Sequence, residues 1–303
     1  MRFLTTTTAL AICLAGSAMA EWREDYAVIK IGVLSGENEA DRIARTDFFR
    51  KHLEDTLGVT VETFTAGNYD GVVQALAAGQ IEFAWLGSSA YAAAYTETDG
   101  GIKPLLTSQN KDGSTGYYSI ITVRCDSGYK TIDDLAGKVL AFADPDSTSG
   151  YAVPYFNLVQ QGYEPSVFFS AVPFSGSHEA GVQAVVNGTF DAAATWQDNE
   201  VNGVYQRMVT KGMIPDGEVC AIWESPEITS GPFTALNTLP DDMIDDVTAA
   251  VESFPSVDPE GFAQYTSFDP ADENPQTGYM RVDHDRYQWI VDMRAWLAQQ
   301  RRG

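Results

Sequence analysis

Positive charge, histidine and cysteine are all scarce in this chain, and each scarcity removes a class of function. The 303 residues hold 19 Lys and Arg against 42 Asp and Glu, a formal charge of −23. That balance repels a phosphate backbone and an anionic lipid surface, which argues against nucleic acid and against direct membrane insertion. It leaves a small anionic ligand open, because salt confines distant charges to about 10 Å. The three histidines, His52, His178 and His284, share no metal-ligand spacing, and neither does any Cys pair. Neither a G-x-S-x-G elbow nor a phosphate-binding P-loop is present. No metal and no other cofactor is expected. Beyond residue 20 no apolar run is long enough to cross a bilayer.

Residues 1–20 carry the pattern of a secretory leader. Arg2 supplies the positive start, residues 8–16 a short apolar core, and Ala18-Met19-Ala20 the small-residue cleavage site. The mature chain is expected to begin at Glu21, with a charge of −24 once Arg2 is lost. Of the three cysteines, Cys13 leaves with the leader, and none stands beside the cleavage site to take a lipid anchor. Cys125 and Cys220 remain in an oxidising compartment, where a disulfide between them is expected.

What is plentiful is alternation of apolar strands with helical spacing. Residues 28–34 read as a strand, 41–57 as a helix, 59–64 as a strand and 69–78 as a helix, with Val72, Val73, Leu76 and Ala77 on one face. Continued to the end, this grammar specifies an α/β protein with covered sheets. One stretch repeats in outline: residues 74–85 and 183–196 each give a short helix, a Gly stop, an apolar strand and a Trp. The echo means either two lobes built alike or ordinary α/β grammar met twice. Strands at 119–125 and 219–223 bracket a lobe-sized block. The expected division is therefore residues 21–122 as the first part of lobe 1, 123–220 as lobe 2, and 221–303 as a return to lobe 1 with C-terminal helices. If the bracketing strands are paired crossovers, a Cys125–Cys220 bridge clips the hinge.

The most informative run is Asp144-Pro145-Asp146-Ser147-Thr148-Ser149-Gly150. An apolar segment leads into it and a helical spacing follows from Tyr151, so three successive hydroxyls sit where a helix leaves its first N–H groups unpaired. Those N–H groups and the helix dipole favour an oxyanion, and each hydroxyl adds a donor, with no Lys or Arg required. The plainer alternative is an N-cap Ser and a turn. Ser177 is a second N-cap, which puts His178 in a first helical turn, either as an anion donor or as a locally bonded core residue. Tyr69 and Tyr117 each stand beside a turn and are candidate O–H donors or half-buried packing. Ser88 and Ser89, after Trp85, are further candidates, and Asp198 follows the second Trp. A Ser147–His178–Asp198 hydrolytic device is conceivable, but three hydroxyls in a row suit charge capture better than one activated nucleophile.

Taken in order, the D-P-x-S-T-S-G run at 144–150, Val153-Pro154 after it, Gly-Tyr-Tyr-Ser at 116–119, Ser-His-Glu at 177–179 and Trp-Glu-Ser-Pro at 223–226 resemble the phosphonate-binding proteins of periplasmic ABC importers. The resemblance runs from about Lys30 to Leu236. It implies a two-lobed periplasmic-binding-protein type II architecture with the ligand in the cleft, a periplasmic location, and ABC permease membrane subunits as partners. Carried over by motif, it implies that Tyr69, Tyr117, Ser147, Thr148, Ser149 and His178 hold the oxygens of a phosphonate, phosphite or related phosphorus oxyanion, and that Asp198 faces its substituent or its protonated oxygen. One position departs from the pattern. Where binders of aminoalkyl phosphonates resemble one another in a second acid before a Pro, this chain has Gly231 before Pro232. An ammonium would then depend on Asp198, unless Glu227 or Glu200 substitutes for the second acid; the missing side chain could instead make room for a larger substituent, and a smaller or neutral group, as in phosphite or methylphosphonate, is equally compatible. A sulfonate or another small organic solute in the same fold is the alternative ligand class, and a phosphoesterase the alternative activity.

Overall fold

The computed structural model describes residues 21–267, 269 and 271–300. The expected leader, with Cys13, lies outside the described residues. Twelve strands form two mixed sheets among the described residues. In the first half of the chain come β1 (Val28–Val33), β2 (Thr60–Thr65), β3 (Phe83–Trp85), β4 (Ile102–Asn110), β5 (Gly116–Arg124) and β6 (Leu140–Ala141). The second half adds β7 (Ala192–Asn199), β8 (Asn202–Gly203), β9 (Val219–Glu224), β10 (Ile228–Thr229), β11 (Pro232–Leu236) and β12 (Gln276–Arg281). The first sheet runs β12-β4-β11-β3-β1-β2; the second runs β10-β5-β7-β6, with β8 on β7 and β9 on β5. In each sheet the strands joined through helices pair in parallel, β1 with β2 and β3, β6 with β7.

Helices cover both faces of each sheet. On lobe 1, α1 (Trp22–Asp25), α2 (Glu39–Leu57), α9 (Asp241–Val257) and α10 (Pro259–Thr266) bury Phe49, Leu53, Phe83, Phe233 and Phe254. The opposite face takes α3 (Tyr69–Ala77), α4 (Ser88–Glu97) and α11 (Gln288–Gln300). Lobe 2 carries α5 (Val153–Gln160) and α6 (Pro165–Phe168) on one side, α7 (His178–Val186) and α8 (Val204–Thr210) on the other. Full burial of side chains such as Leu53, Phe83 and Phe254 contributes about 1.5–3 kcal/mol each. One apolar cluster is continuous from α3, α4 and α11 into Ile121, Phe142 and Leu158 of the second lobe.

The helices start where their sequences supply caps. Asn38, Asn68 and Ser177 accept from Asp41 N, Gly71 N and Ala180 N and so begin α2, α3 and α7, each cap worth about 1 kcal/mol. The internal echo is structural: α3 leads through Gly79 into β3, and α7 leads through Gly188 into β7. Tyr69 and His178 are thus the first residues of corresponding helices, one from each lobe.

Two features differ from the sequence expectation. The lobe changes expected at 122/123 and 220/221 fall inside β5 and next to the start of β9, yet both strands belong wholly to the second sheet. The chain crosses at 111–115 and 230–231 instead, because β5 continues to Gly116, where Thr229 of β10 pairs with it. Cys125 and Cys220 are bonded, with Cα atoms 5.0 Å apart. The bridge does not clip the hinge: it joins β5 to β9 within lobe 2, at the end of β5 farthest from the crossing. The C-terminal residues do return to lobe 1, β12 as the sheet edge and α11 against α4. They also reach lobe 2, through Arg294 Nη2 to Asp146 Oδ1 at 2.7 Å and Trp296 edge-on to Phe156.

Candidate functional site

The lobes face each other across a cleft that opens beyond the carboxyl ends of β1, β3, β6 and β7, the place where open α/β sheets leave loop backbone and helix starts exposed together. It holds a cavity of about 350 Å³, and its walls include Tyr69, Tyr117, Ser147, Thr148, Ser149, His178 and Asp198. The seven residues that the resemblance assigned to the ligand therefore converge on one space.

The hydroxyl run is less regular than a plain helix start. After β6 the chain turns at Asp144, whose Oδ1 accepts from Asp146 N at 2.8 Å and whose Oδ2 accepts from Tyr69 N at 3.3 Å. A wide, π-type turn, Thr148–Ala152, follows before α5 begins at Val153. Ser147 caps this turn by accepting from Gly150 N at 3.0 Å. Gly150 is required by space: a Cβ there meets Ala143 Cβ at 2.5 Å, and His178 Cε1 and Ser147 Oγ at 2.8 Å. Thr148 Oγ1 accepts from Ser89 N of the other lobe at 2.9 Å, and Ser149 O accepts from Ser119 Oγ at 2.7 Å. The run is held from both lobes and its members are buried.

His178 lies with Nε2 3.2 Å from Ser147 Oγ and Nδ1 3.1 Å from Thr195 Oγ1. Burial pushes its pKa down to about 4, against a smaller upward pull from Glu37, so the imidazole is neutral at pH 7. The ring therefore acts as a neutral hydrogen-bonding group. The Ser147–His178–Asp198 relay is not assembled: Nδ1 faces Thr195, and Asp198 Oδ2 accepts from Asn202 Nδ2 at 2.8 Å. Burial raises Asp198 to about 6, with Arg207 pulling the other way. Tyr69 and Tyr117 are both pushed up by burial, Tyr117 to about 12, and stay protonated donors.

Several groups on the walls went unread in the sequence. Arg42, Arg45, Glu37 and Arg207 line the same cavity, so the site is not built from neutral donors alone. Glu37 Oε2 lies 2.7 Å from Arg45 Nη2, and Oε1 lies 3.6 Å from Arg207 Nη1. Burial pushes the Glu37 carboxyl up, and Arg45, Arg207 and Lys211 together more than offset it. Arg207 lies over the Trp196 ring at 4.8 Å and donates from Nε to Asn202 Oδ1 at 3.0 Å. A signal existed for Arg42: it shares the inward stripe of α2 with Thr46, Phe49 and Leu53. None marked Glu37 or Arg207, which meet only through the tertiary fold.

Other expectations are corrected. Ser88 and Ser89 are fully buried and committed elsewhere, Ser88 Oγ to Thr229 O at 2.5 Å and Ser89 Oγ to Arg294 Nη1 at 2.8 Å. Glu200 and Glu227 are exposed and do not line the cavity. Gly231 leaves no free space: a Cβ there meets Leu86 O at 1.9 Å and Gly87 Cα at 2.6 Å. Main chain, not ligand, fills that position.

Both flanks of the cleft are bridged. On one, His178 N donates to Gly36 O at 3.1 Å, Asn38 N to Glu179 Oε2 at 2.6 Å, and Lys211 Nζ lies 2.9 Å from Asp41 Oδ2. On the other, Arg294, Ser89 and Tyr69 hold Asp146, Thr148 and Asp144. Two α/β lobes joined by two strand crossings, with helix starts and hydroxyls converging between them, define a solute-binding protein.

Residues 31–274 match the family described as "ABC transporter, phosphonate, periplasmic substrate-binding protein", and the chain belongs to that family. It is 32% identical over 251 residues to the "Phosphate-import protein PhnD" of Mycolicibacterium smegmatis, across 78% of this chain and 75% of that protein. To the "Phosphonates-binding periplasmic protein" of Escherichia coli it is 28% identical over 219 residues, across 71% of this chain and 62% of that one. A binding component of an ABC phosphonate transporter from Pseudomonas aeruginosa superposes with a TM-score of 0.76 at 22% identity, covering 89% of this chain and 86% of that one. PhnD1 from Prochlorococcus marinus, in complex with methylphosphonate, gives 0.76 at 20% identity, covering 90% and 98%. These superpositions agree with the two-lobed type II architecture expected from the sequence.

Proposed function

We propose that the chain captures a small phosphorus oxyanion, a phosphonate, phosphite or phosphate-like species, in the periplasm and presents it to the membrane subunits of an ABC permease, with no catalytic step and no metal. The observation that carries this reading is the convergence of Tyr69, Tyr117, Ser147, Thr148, Ser149 and His178 on one cavity between the lobes. The hydroxyls of Tyr69, Tyr117, Ser147, Thr148 and Ser149 each offer a hydrogen bond to an ionised oxygen, worth about 1.5–3 kcal/mol, and His178, whose ring nitrogens face Ser147 Oγ and Thr195 Oγ1, orients the Ser147 hydroxyl. Several such bonds, less the cost of ordering ligand and lobes, give micromolar to nanomolar binding, tight enough to capture and weak enough to release. Asp198, raised toward neutrality, exchanges a hydrogen bond with the protonated oxygen or with the substituent. The neutral His178 and the absence of a carboxylate on its Nδ1 favour holding over turnover.

The test is calorimetric titration of phosphate-free protein with phosphite, methylphosphonate, aminoethylphosphonate, phosphate and a sulfonate, beside a turnover assay on nitrophenyl phosphate. Tight binding of a phosphorus ligand without turnover supports the reading, and Ser147→Ala with Thr148→Ala then weakens it at least about tenfold. Folded protein that binds only the sulfonate, or hydrolyses the ester, overturns it.

A further inference from the structure

A methylphosphonate-sized ligand leaves most of the cleft unfilled. The cavity of about 350 Å³ holds about a dozen units of water size, whereas methylphosphonate has about five heavy atoms. Phe49, Trp85, Trp196 and Tyr265 give this space flat apolar sides. Its charged wall carries three guanidiniums, Arg42, Arg45 and Arg207, against two carboxylates, Glu37 and Asp198. A local cationic excess inside a chain of charge −23 is unexpected from composition. Glu37 is already shared by Arg45 and Arg207, so it cannot turn to an incoming ammonium without leaving two cations uncompensated. Two donors on the same wall lack acceptors: Arg42 Nε and Ser35 Oγ are buried without a hydrogen-bond partner, and Arg42 is 5% exposed. Buried unpaired donors of this kind are costly and are satisfied by a ligand that brings oxygens.

We propose that the captured solute carries a second oxyanion, a carboxylate or another phosphoryl group, on the substituent of its phosphorus centre, and that Arg45 and Arg207 are the residues that select it. This rests on the phosphorus-oxyanion reading above. The aromatic sides accommodate the connecting carbons. An ammonium substituent, facing guanidiniums from both lobes, is rejected.

The experiment is titration calorimetry with a matched series: methylphosphonate, propylphosphonate, aminopropylphosphonate, carboxyethylphosphonate and ethylenebisphosphonate. Carboxyethylphosphonate or the bisphosphonate is expected to bind at least about tenfold tighter than propylphosphonate, and aminopropylphosphonate weaker than propylphosphonate. Whichever of the two binds tighter names the second oxyanion, and either supports the proposal. Arg45→Gln and Arg207→Gln each shrink the ratio of carboxyethyl to propyl affinity, and Arg45→Lys keeps part of it. Should a variant fail to fold, the wild-type series decides alone. Tight methylphosphonate binding with no gain from the second oxyanion, or with aminopropylphosphonate the tightest, overturns the proposal and leaves the phosphorus reading standing. Folded protein that binds no phosphorus compound overturns both.

Discussion

Replacing Asp198 by Asn should make the protein more stable, and by an amount that grows with pH. The carboxyl is pushed up to about 6 by burial, against 3.8 for an ordinary aspartate. A raised carboxyl pKa favours the folded state only while the group is protonated. That contribution is complete below pH 3.8 and is lost as pH rises through about 6. With these two values, ionising Asp198 costs the folded state about 0.5 kcal/mol at pH 4 and about 3 kcal/mol above pH 7. The amide keeps the contact with Asn202 Nδ2, which is 2.8 Å from Asp198 Oδ2, and does not ionise. In a chain of this size about 3 kcal/mol corresponds to about 5 °C in melting temperature. Thermal melts of wild type and D198N from pH 4 to 8 should diverge from about 1 °C to about 5 °C. A difference that is flat across this range, or that shrinks as pH rises, refutes the desolvation of Asp198. The same variant should lose affinity for protonated phosphorus oxyanions, as expected where a strained group is retained for binding.

Three further outcomes follow from the geometry. Replacing Cys125 and Cys220 together by Ser should cost about 2–4 kcal/mol of stability and leave the phosphonate Kd within about threefold, because the bridge lies at the end of β5 away from the cleft; a large Kd change would place the bridge in the closing movement. Gly231→Ala drives a Cβ to 1.9 Å from Leu86 O and should lower stability by more than about 2 kcal/mol, so a wild-type melting temperature would contradict the packing. The His178 imidazole, held down to about 4, should show no NMR titration between pH 5.5 and 8; a midpoint near 6.5 would show that it is not desolvated.

How much of this was legible without coordinates varies from residue to residue. The hydroxyl run after an apolar segment announced a capped turn at the start of a helix, because strand, turn and cap are local, and the fold sets that turn on the cavity wall. The echo between residues 74–85 and 183–196 left two lobes and mere α/β grammar equally open; in the fold each copy is a complete helix–strand unit with its own Gly stop, one in each lobe. It also held more than it yielded, for it equates Tyr69 with His178 at the starts of α3 and α7. The π-type turn at Thr148–Ala152 was not legible, because hydroxyls and a Gly after an apolar segment fit an ordinary helix start equally well, and the close approach of His178 to Gly150 exists only in the folded chain. The lobe boundary was misplaced because an apolar strand does not say which sheet its first residues join. Gly231 misled for a related reason: a missing side chain removes volume, but the sequence does not tell what moves in. The Arg45–Glu37–Arg207 bridge unites α2 and α8 across the cleft, and Arg207, far from the other two in sequence, meets them only through the tertiary fold.

The two crossings between the lobes lie side by side and are bonded to each other, Ser230 N to Thr115 O at 3.0 Å. One short segment grips both, Arg286 donating to Thr115 O and Tyr287 Oη to Ser230 O. Bending either crossing would therefore drag the other, as two knuckles turn on one pin. If the captured solute turns one lobe against the other, one dye on α2 and another on α8 would follow that turn with a single distance, the arrangement an optical sensor needs.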